Sequence, residues 1–321
     1  MNFKKLFPLR PARAEELPNL SVKTHKHRFA IFPLLITHYS LLSVIIMPEL
    51  PEVETVVRRL RKPLIGQRIV RAQVSWARTI EAPSAATFCR HVRGAEFVAI
   101  ERRGKYLLFE LSSGETMLAH LRMTGDFVVC EADAERDRYM RVRWVLANGA
   151  ELRYTDTRKF GRIVLTAQPD AWLGHLGPEP LSSSFTPNTL AKILEGRATS
   201  IKPLLLNQER IAGLGNIYAD EALHKAGIHP QREAQTLTAD EIKRLHQGIR
   251  AVLRKGIRLG GSTLYDHRFF DPFGKPGRMQ NEFVVYHDPR REEKCCPRCG
   301  ARIAHQIIAQ RTAHFCPRCQ R

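Results

Sequence analysis

Apolar positions along the chain change period from one region to the next. At Leu50, Val53, Val57 and Leu60 they recur at helical spacing, and Pro48, Glu49, Pro51, Glu52 and Glu54 overlap the start of the run. A proline near a helix start and acids in the first turn suit the exposed N–H groups, so the pattern predicts a capped helix there. From Arg68 onward the pattern shortens. Arg68–Val74, Glu96–Ile100, Tyr106–Leu111, Thr116–Leu121, Phe127–Val129, Met140–Leu146 and Arg162–Leu165 read as strands, most of them β-branched or aromatic. Turn signals at Gly104, Gly114, Gly125 and Gly149 separate many of them. Short strands without long intervening helices predict an antiparallel sandwich or barrel.

Beyond a linker at Ser182–Pro187 the period becomes helical again, at Leu190–Leu194, Ile201–Leu206, Asn216–Ala226 and Ala239–Lys255. A Gly-rich stretch with basic and aromatic residues, Gly256–Gly277, reads as a loop, and Gly300–Thr312 as a hairpin. The expected organisation is multidomain α+β. It comprises an extension over 1–46, an antiparallel β-sandwich with flanking helices over 47–180, a helical domain over 181–280 and a cysteine-bearing hairpin over 281–321.

Charge narrows the partner. The 321 residues carry 51 Lys and Arg against 32 Asp and Glu, a formal net charge of +19. A polyanion, most simply nucleic acid, fits that surplus. The first 46 residues supply seven of the cations and two of the acids, so the remainder still holds +14. Their apolar run, Phe29–Ile46, is broken by Pro33, His38, Tyr39 and serines. It is too polar for a membrane span and shows no clear cleavage site. A targeting peptide is one account; a mis-assigned start upstream of Met47 is the plainer one. No stable membrane association is expected.

Five of the seven cysteines fall in the last 27 residues. Cys296, Cys299, Cys316 and Cys319 form two C-x2-C pairs, the donor set of a closed tetrahedral structural zinc site; Cys295 breaks the spacing. Four thiolates leave no position for a catalytic water. Elsewhere Lys105 follows a basic turn, Met123 adjoins a glycine turn, and Arg158 and Phe160 lie side by side. Such residues could contact phosphates or fill a gap in a base stack. Lys105 is equally an ordinary surface lysine, and Met123 and Phe160 ordinary core. Asn216 begins a helix after a double glycine turn, as a phosphate donor, a cap, or both. Arg311 could reach a phosphate or be a solvated charge. If the chain begins at Pro48, its secondary amine is a nucleophile with a pKa of roughly 8.

Four motifs in order, Pro-Glu-Leu-Pro-Glu-Val-Glu from Pro48, Asp-Thr-Arg-Lys-Phe-Gly from Asp156, Gly-Leu-Gly-Asn-Ile-Tyr-Ala from Gly213 and the four-cysteine finger, resemble the bacterial formamidopyrimidine-DNA glycosylase family. The resemblance spans nearly all of 47–321. It implies a catalytic sandwich, a helix–two-turn–helix domain and a zinc finger on damaged duplex DNA. The activity it implies is bifunctional: release of oxidised purines through an N-terminal proline iminium, then β,δ-elimination, with no redox cofactor. Pro48 is then the nucleophile and Glu49 its acid–base partner, with Glu52 helping to hold the pocket. Lys105, Asn216 and Arg311 are phosphate contacts. Met123, Arg158 and Phe160 fill the space of the everted nucleotide, and Gly260–Asp266 closes over it. Arg122 and Tyr265 depart from the family pattern. Oxidised or abasic duplex DNA is the expected partner, a monomer the expected state, and the bacterial cytoplasm and nucleoid the expected location. The alternatives are an endonuclease VIII-like enzyme preferring oxidised pyrimidines and a noncatalytic DNA-binding protein.

Overall fold

The computed structural model describes residues 47–264, 269–288 and 293–321. The expected extension over 1–46 lies outside the described residues, as do Tyr265 and Asp266 of the expected lesion loop and His267 and Arg268 after it.

Helix α1, Leu50–Leu64, forms where the period placed it. Leu50, Val53, Val57 and Leu60 are fully buried, and the Glu49 amide donates to the Glu52 carboxylate at 3.1 Å. The strands after it are β1 (Ile69–Val74), β2 (Ile80–Ala82), β3 (Phe97–Arg103), β4 (Tyr106–Leu111), β5 (Thr116–His120), β6 (Gly125–Glu131), β7 (Met140–Leu146), β8 (Ala150–Asp156) and β9 (Arg162–Thr166). They make a four-stranded sheet, β1-β7-β8-β6, and a five-stranded sheet, β2-β9-β5-β4-β3. Pairing is antiparallel except for a short parallel contact of β2 with β9. The expected sandwich is therefore present. Its core is aromatic: Phe127 packs on Phe109 at 5.3 Å and on Tyr154 at 5.1 Å between ring centroids. Helix α2, Ala85–Val92, adds Phe88 against Trp144.

Strand β8 has no counterpart in the apolar pattern, because Glu151, Arg153 and Asp156 interrupt it. All seven of its residues are nevertheless buried. Glu151 binds Arg143 at 3.0 Å and Arg153 at 2.8 Å, and Arg153 donates onward to the Ala134 and Glu135 carbonyls. Buried charges persist where each has such partners.

The helical part contains α3 (Pro169–Leu173), α4 (Pro187–Leu194), α5 (Ile201–Leu206), α6 (Asn216–Ala226) and α7 (Ala239–Arg258). The expected linker is short: Thr186 already caps α4. Helix α7 runs through Arg258, so the Gly-rich loop begins later than Gly256. The C-terminal hairpin pairs β10 (Ala304–Ile308) with β11 (Arg311–Phe315), and Ala309 and Gln310 turn between them in the left-handed region. It docks on α6. The carboxylate of Asp220 accepts the His314 amide at 3.0 Å, and Lys202 donates to the Thr312 carbonyl at 2.6 Å.

Candidate active site and DNA interface

The start of α1 is pinned to the turn before α6. The Leu50 amide donates to the Gly213 carbonyl at 3.0 Å. The Glu49 carboxylate sits over the N-terminus of α6 and accepts the Ile217 amide at 2.9 Å and the Tyr218 amide at 3.5 Å. Helix N-termini hold such acceptors because their first amides have no intrahelical partner. The turn must be glycine to allow the approach. A Cβ on Gly215 would stand 2.3 Å from Glu49 Cδ, and one on Gly213, whose φ is +86°, 2.8 Å from Leu50 Cβ.

Glu52 faces the same pocket from the next turn. Its carboxylate accepts the Tyr218 hydroxyl at 2.8 Å, and the Ser262 amide and hydroxyl at 2.8 and 2.9 Å. One acid thus ties α1 to α6 and to the first residues after α7. Pro48, half-buried, immediately precedes this pair of buried acids.

Burial governs the protonation of the cluster. It pushes the Glu49 carboxyl up from 4.5 to about 7, against the opposing pull of Lys105 and with reinforcement from Glu52. Lys105 is itself buried, not a surface lysine, and burial draws its ammonium down while Glu49 and Glu52 hold it up. Arg311 lies close enough to lower it further. The structure therefore brings Glu49, Glu52, Lys105 and Arg311 together from three separate segments, the start of α1, the β3–β4 turn and β11. Lysine amines and carboxyls tuned this way suit proton transfer near neutral pH.

Two members of this site were not legible in the sequence. His120, on β5 beside Lys105, is driven down to about 3 by burial and by Arg122 and Lys105, so it is neutral. Its Nδ1 accepts the Arg122 amide at 2.9 Å, which leaves the ring's other nitrogen as the N–H donor. Tyr286 stands against the Asn216 side chain, with its ring 4.7 Å from that of His314. Neither residue belongs to a local motif; each reaches the site through tertiary pairing.

The three expected wedge residues occupy two neighbouring turns. Asp156 joins these turns. Its carboxylate accepts the Thr124 hydroxyl, the Arg158 amide at 3.1 Å and the Gly161 amide at 2.8 Å. Met123 is half-buried, Phe160 is 45% exposed, and the Arg158 guanidinium lies 4.8 Å above the Phe160 ring. Phe160 is thus not core. Arg122 adopts φ +52°, a conformation glycine takes freely, so the departure at this position keeps the turn at the expense of local strain. Arg311 is exposed at the first position of β11, and Asn216 is partly exposed at the first turn of α6.

The four expected zinc ligands converge. The sulfurs of Cys296, Cys299, Cys316 and Cys319 all lie within 4.8 Å of one another, with 3.8 Å between Cys296 and Cys319 and 3.5 Å between Cys299 and Cys316. A tetrahedral thiolate site with Zn–S near 2.3 Å has sulfur edges of about 3.8 Å. The donor set fits a structural zinc ion, which would cross-link the two knuckles. His224 of α6 approaches Cys296 Sγ at 3.4 Å, a supporting contact of the kind that orients a ligand. Cys295 is exposed and outside the cluster.

Comparison with known proteins agrees with this architecture. Residues 47–163 match the model of the formamidopyrimidine-DNA glycosylase N-terminal domain, 176–267 its H2TH domain, and 294–321 the zinc finger found in FPG and IleRS. The formamidopyrimidine-DNA glycosylase of Symbiobacterium thermophilum is 50% identical over 279 residues, covering 85% of this chain and 89% of that one. The Roseiflexus sp. enzyme is 46% identical over 278 residues, covering 86% and 100%. Crystal structures of the Lactococcus lactis enzyme with Fapy-dG DNA and with abasic-site DNA superpose with a TM-score of 0.77 at 38% identity. Each covers 85% of this chain, and respectively 100% and 99% of the other. The chain belongs to the formamidopyrimidine-DNA glycosylase family. Among its described residues, no helix is long and apolar enough to cross a membrane.

Proposed function

We propose that this chain excises oxidised purines from duplex DNA through an iminium on Pro48 and then cleaves the strand at the abasic site. The carrying observation is the Glu49 carboxyl, buried beside Pro48 on the first amides of α6 and raised to about 7. Family membership and the DNA complexes of the Lactococcus lactis relative, with Fapy-dG and with an abasic site, support both the substrate and the lyase step.

In this mechanism the free Pro48 nitrogen attacks C1′ of the damaged nucleoside, the glycosidic bond breaks, and the base departs taking up the proton released from that nitrogen. Neutral Glu49 donates its proton to the sugar ring oxygen. The ring opens and the nitrogen lone pair forms the iminium. Loss of the C2′ proton expels the 3′ phosphate, and a second elimination expels the 5′ phosphate, leaving a one-nucleotide gap. The iminium is the electron sink. Lys105, Asn216 and Arg311 hold phosphates around the lesion, while Met123, Arg158 and Phe160 fill the vacated stack. The residues after Gly260 close over the everted base. The zinc site holds the hairpin that presents Arg311. The proposed active form begins at Pro48, consistent with a family match that starts at residue 47. It acts in the bacterial nucleoid.

The test is release of 8-oxoguanine and of thymine glycol from otherwise identical duplexes. Faster release of 8-oxoguanine is expected. Preference for thymine glycol would assign the chain to the pyrimidine-directed branch instead.

A further inference from the structure

A second cationic feature lies outside the acid cluster and the wedge turns. The outer face of α1, the end of α7 and the returning stem at 275–278 enclose a pocket of about 560 Å³. Arg58, Arg59, Arg258, Lys275 and Arg278 line it, with Asp271 as the sole acid. Arg58 is paired with Glu54 at 2.7 Å and Arg59 with Asp271 at 3.0 Å. The side chains of Arg258, Lys275 and Arg278 have no hydrogen-bond or ion-pair partner among the described residues. Glu282, paired with Lys255, also acts on Arg258, but the cations around the concavity outnumber the acids near them, and a multivalent anion relieves their mutual repulsion.

The backbone leaves room for such a ligand. Gly260, at φ +74°, borders the pocket, and nothing stands within 4 Å of where its Cβ would be. The Arg278 amide is anchored to the Leu259 carbonyl at 3.0 Å, and the Met279 amide to Gly261 at 2.9 Å. Both stems of the segment from Gly261 to Gly277 are thus joined at the pocket floor. An anion bound there would bridge α1, α7 and these stems. Ser262, the next residue along, is the donor to Glu52.

We propose that this pocket is an anion site separate from the lesion cleft, taking a compact ligand with two or more phosphate groups. The phosphates come either from a free diphosphate-bearing molecule or from DNA backbone remote from the lesion. Neither source needs base recognition, since five of the lining side chains are cations and Asp271, the sole acid, is already paired with Arg59.

Calorimetric titration of the full chain with pyrophosphate tests the site at low ionic strength. Measurements are made with and without a saturating duplex that carries a non-cleavable abasic analogue. One-to-one binding is expected, weakened about tenfold or more in an Arg258→Ala/Arg278→Ala variant. That variant should retain borohydride trapping on abasic DNA, which separates loss of the pocket from loss of the fold or of the catalytic site. Pyrophosphate binding that persists on the duplex complex indicates a free-ligand site. Displacement by duplex in wild type, with the residual binding of the variant indifferent to duplex, assigns the pocket to backbone phosphates. Absence of saturable binding, or binding equal in wild type and variant, overturns the proposal.

Discussion

The Glu49 carboxylate accepts the Ile217 amide hydrogen at 2.9 Å, joining residues 168 apart in sequence. The sandwich domain contributes the acid, and the helical domain contributes the amides that fix it. The two glycines before α6 permit this contact, because a side chain at Gly215 would strike Glu49 itself and one at Gly213 would strike Leu50 beside it. Replacement of Gly215 by Ala puts a methyl 2.3 Å from Glu49 Cδ. We expect single-turnover excision to fall by about 100-fold, the cost of displacing a reacting group by an ångström. Zinc content should stay at one per chain, which a general unfolding would not allow.

The position of the Glu49 titration predicts two pH effects of Glu49→Gln, one on rate and one on stability. In wild type the neutral acid is present below about 7. The Glu49-dependent limb of the excision rate should therefore decline as pH rises through that value, and the variant should lack that limb. For stability, the folded pKa lies above the unfolded value of 4.5, so the folded state holds the extra proton between them. The Glu49 contribution is then fully present below 4.5 and is lost as pH rises through about 7. The melting temperature of the variant relative to wild type should rise from pH 5 to pH 8. A difference independent of pH would place the titration elsewhere.

How much of this was visible in the sequence depended on whether a residue acts through its neighbours in the chain. The α1 period, the C-x2-C pairs and the Asn216 helix start are local patterns, and each reappears in the structure. Strand β8 was hidden because Glu151 and Arg153 are buried as a paired network, which period-two patterning reads as exposure. Lys105 read equally well as a surface residue; only the packing around it shows burial. His120 and Tyr286 act across strands or domains, and no spacing announces them; Asp156 opened a recognised motif, but its bond to Thr124 appears only in the fold.

A second interdomain joint lies under Arg311. Lys202 and Asp220, both fully buried, meet at 2.6 Å, and Asp220 also holds the His314 amide and ring. Asp220→Asn leaves a buried ammonium without its counter-charge, so unfolding free energy should fall by about 3–5 kcal/mol in denaturant titration. Affinity for an abasic-analogue duplex should fall as well. That loss should largely vanish in an Arg311→Ala background, because the carboxylate acts on DNA through the strand that carries Arg311. Additive losses would separate the two.

Metal removal should act locally. Chelation, or Cys316→Ser, is expected to lower DNA affinity through loss of the hairpin, while the sandwich keeps its circular dichroism signature. Cys295→Ser should retain one zinc per chain and full affinity, since this thiol is outside the cluster. Loss of metal in the Cys295 variant would redefine the ligand set.

The central claim is the nucleophile, and borohydride trapping with peptide mapping tests it most directly. Two chains are compared on an abasic duplex, one beginning at Pro48 and one retaining residues 1–46. The account predicts a covalent adduct on the Pro48 nitrogen of the first and none on the second. An adduct on the longer chain, or one mapped to a lysine such as Lys105, would contradict it.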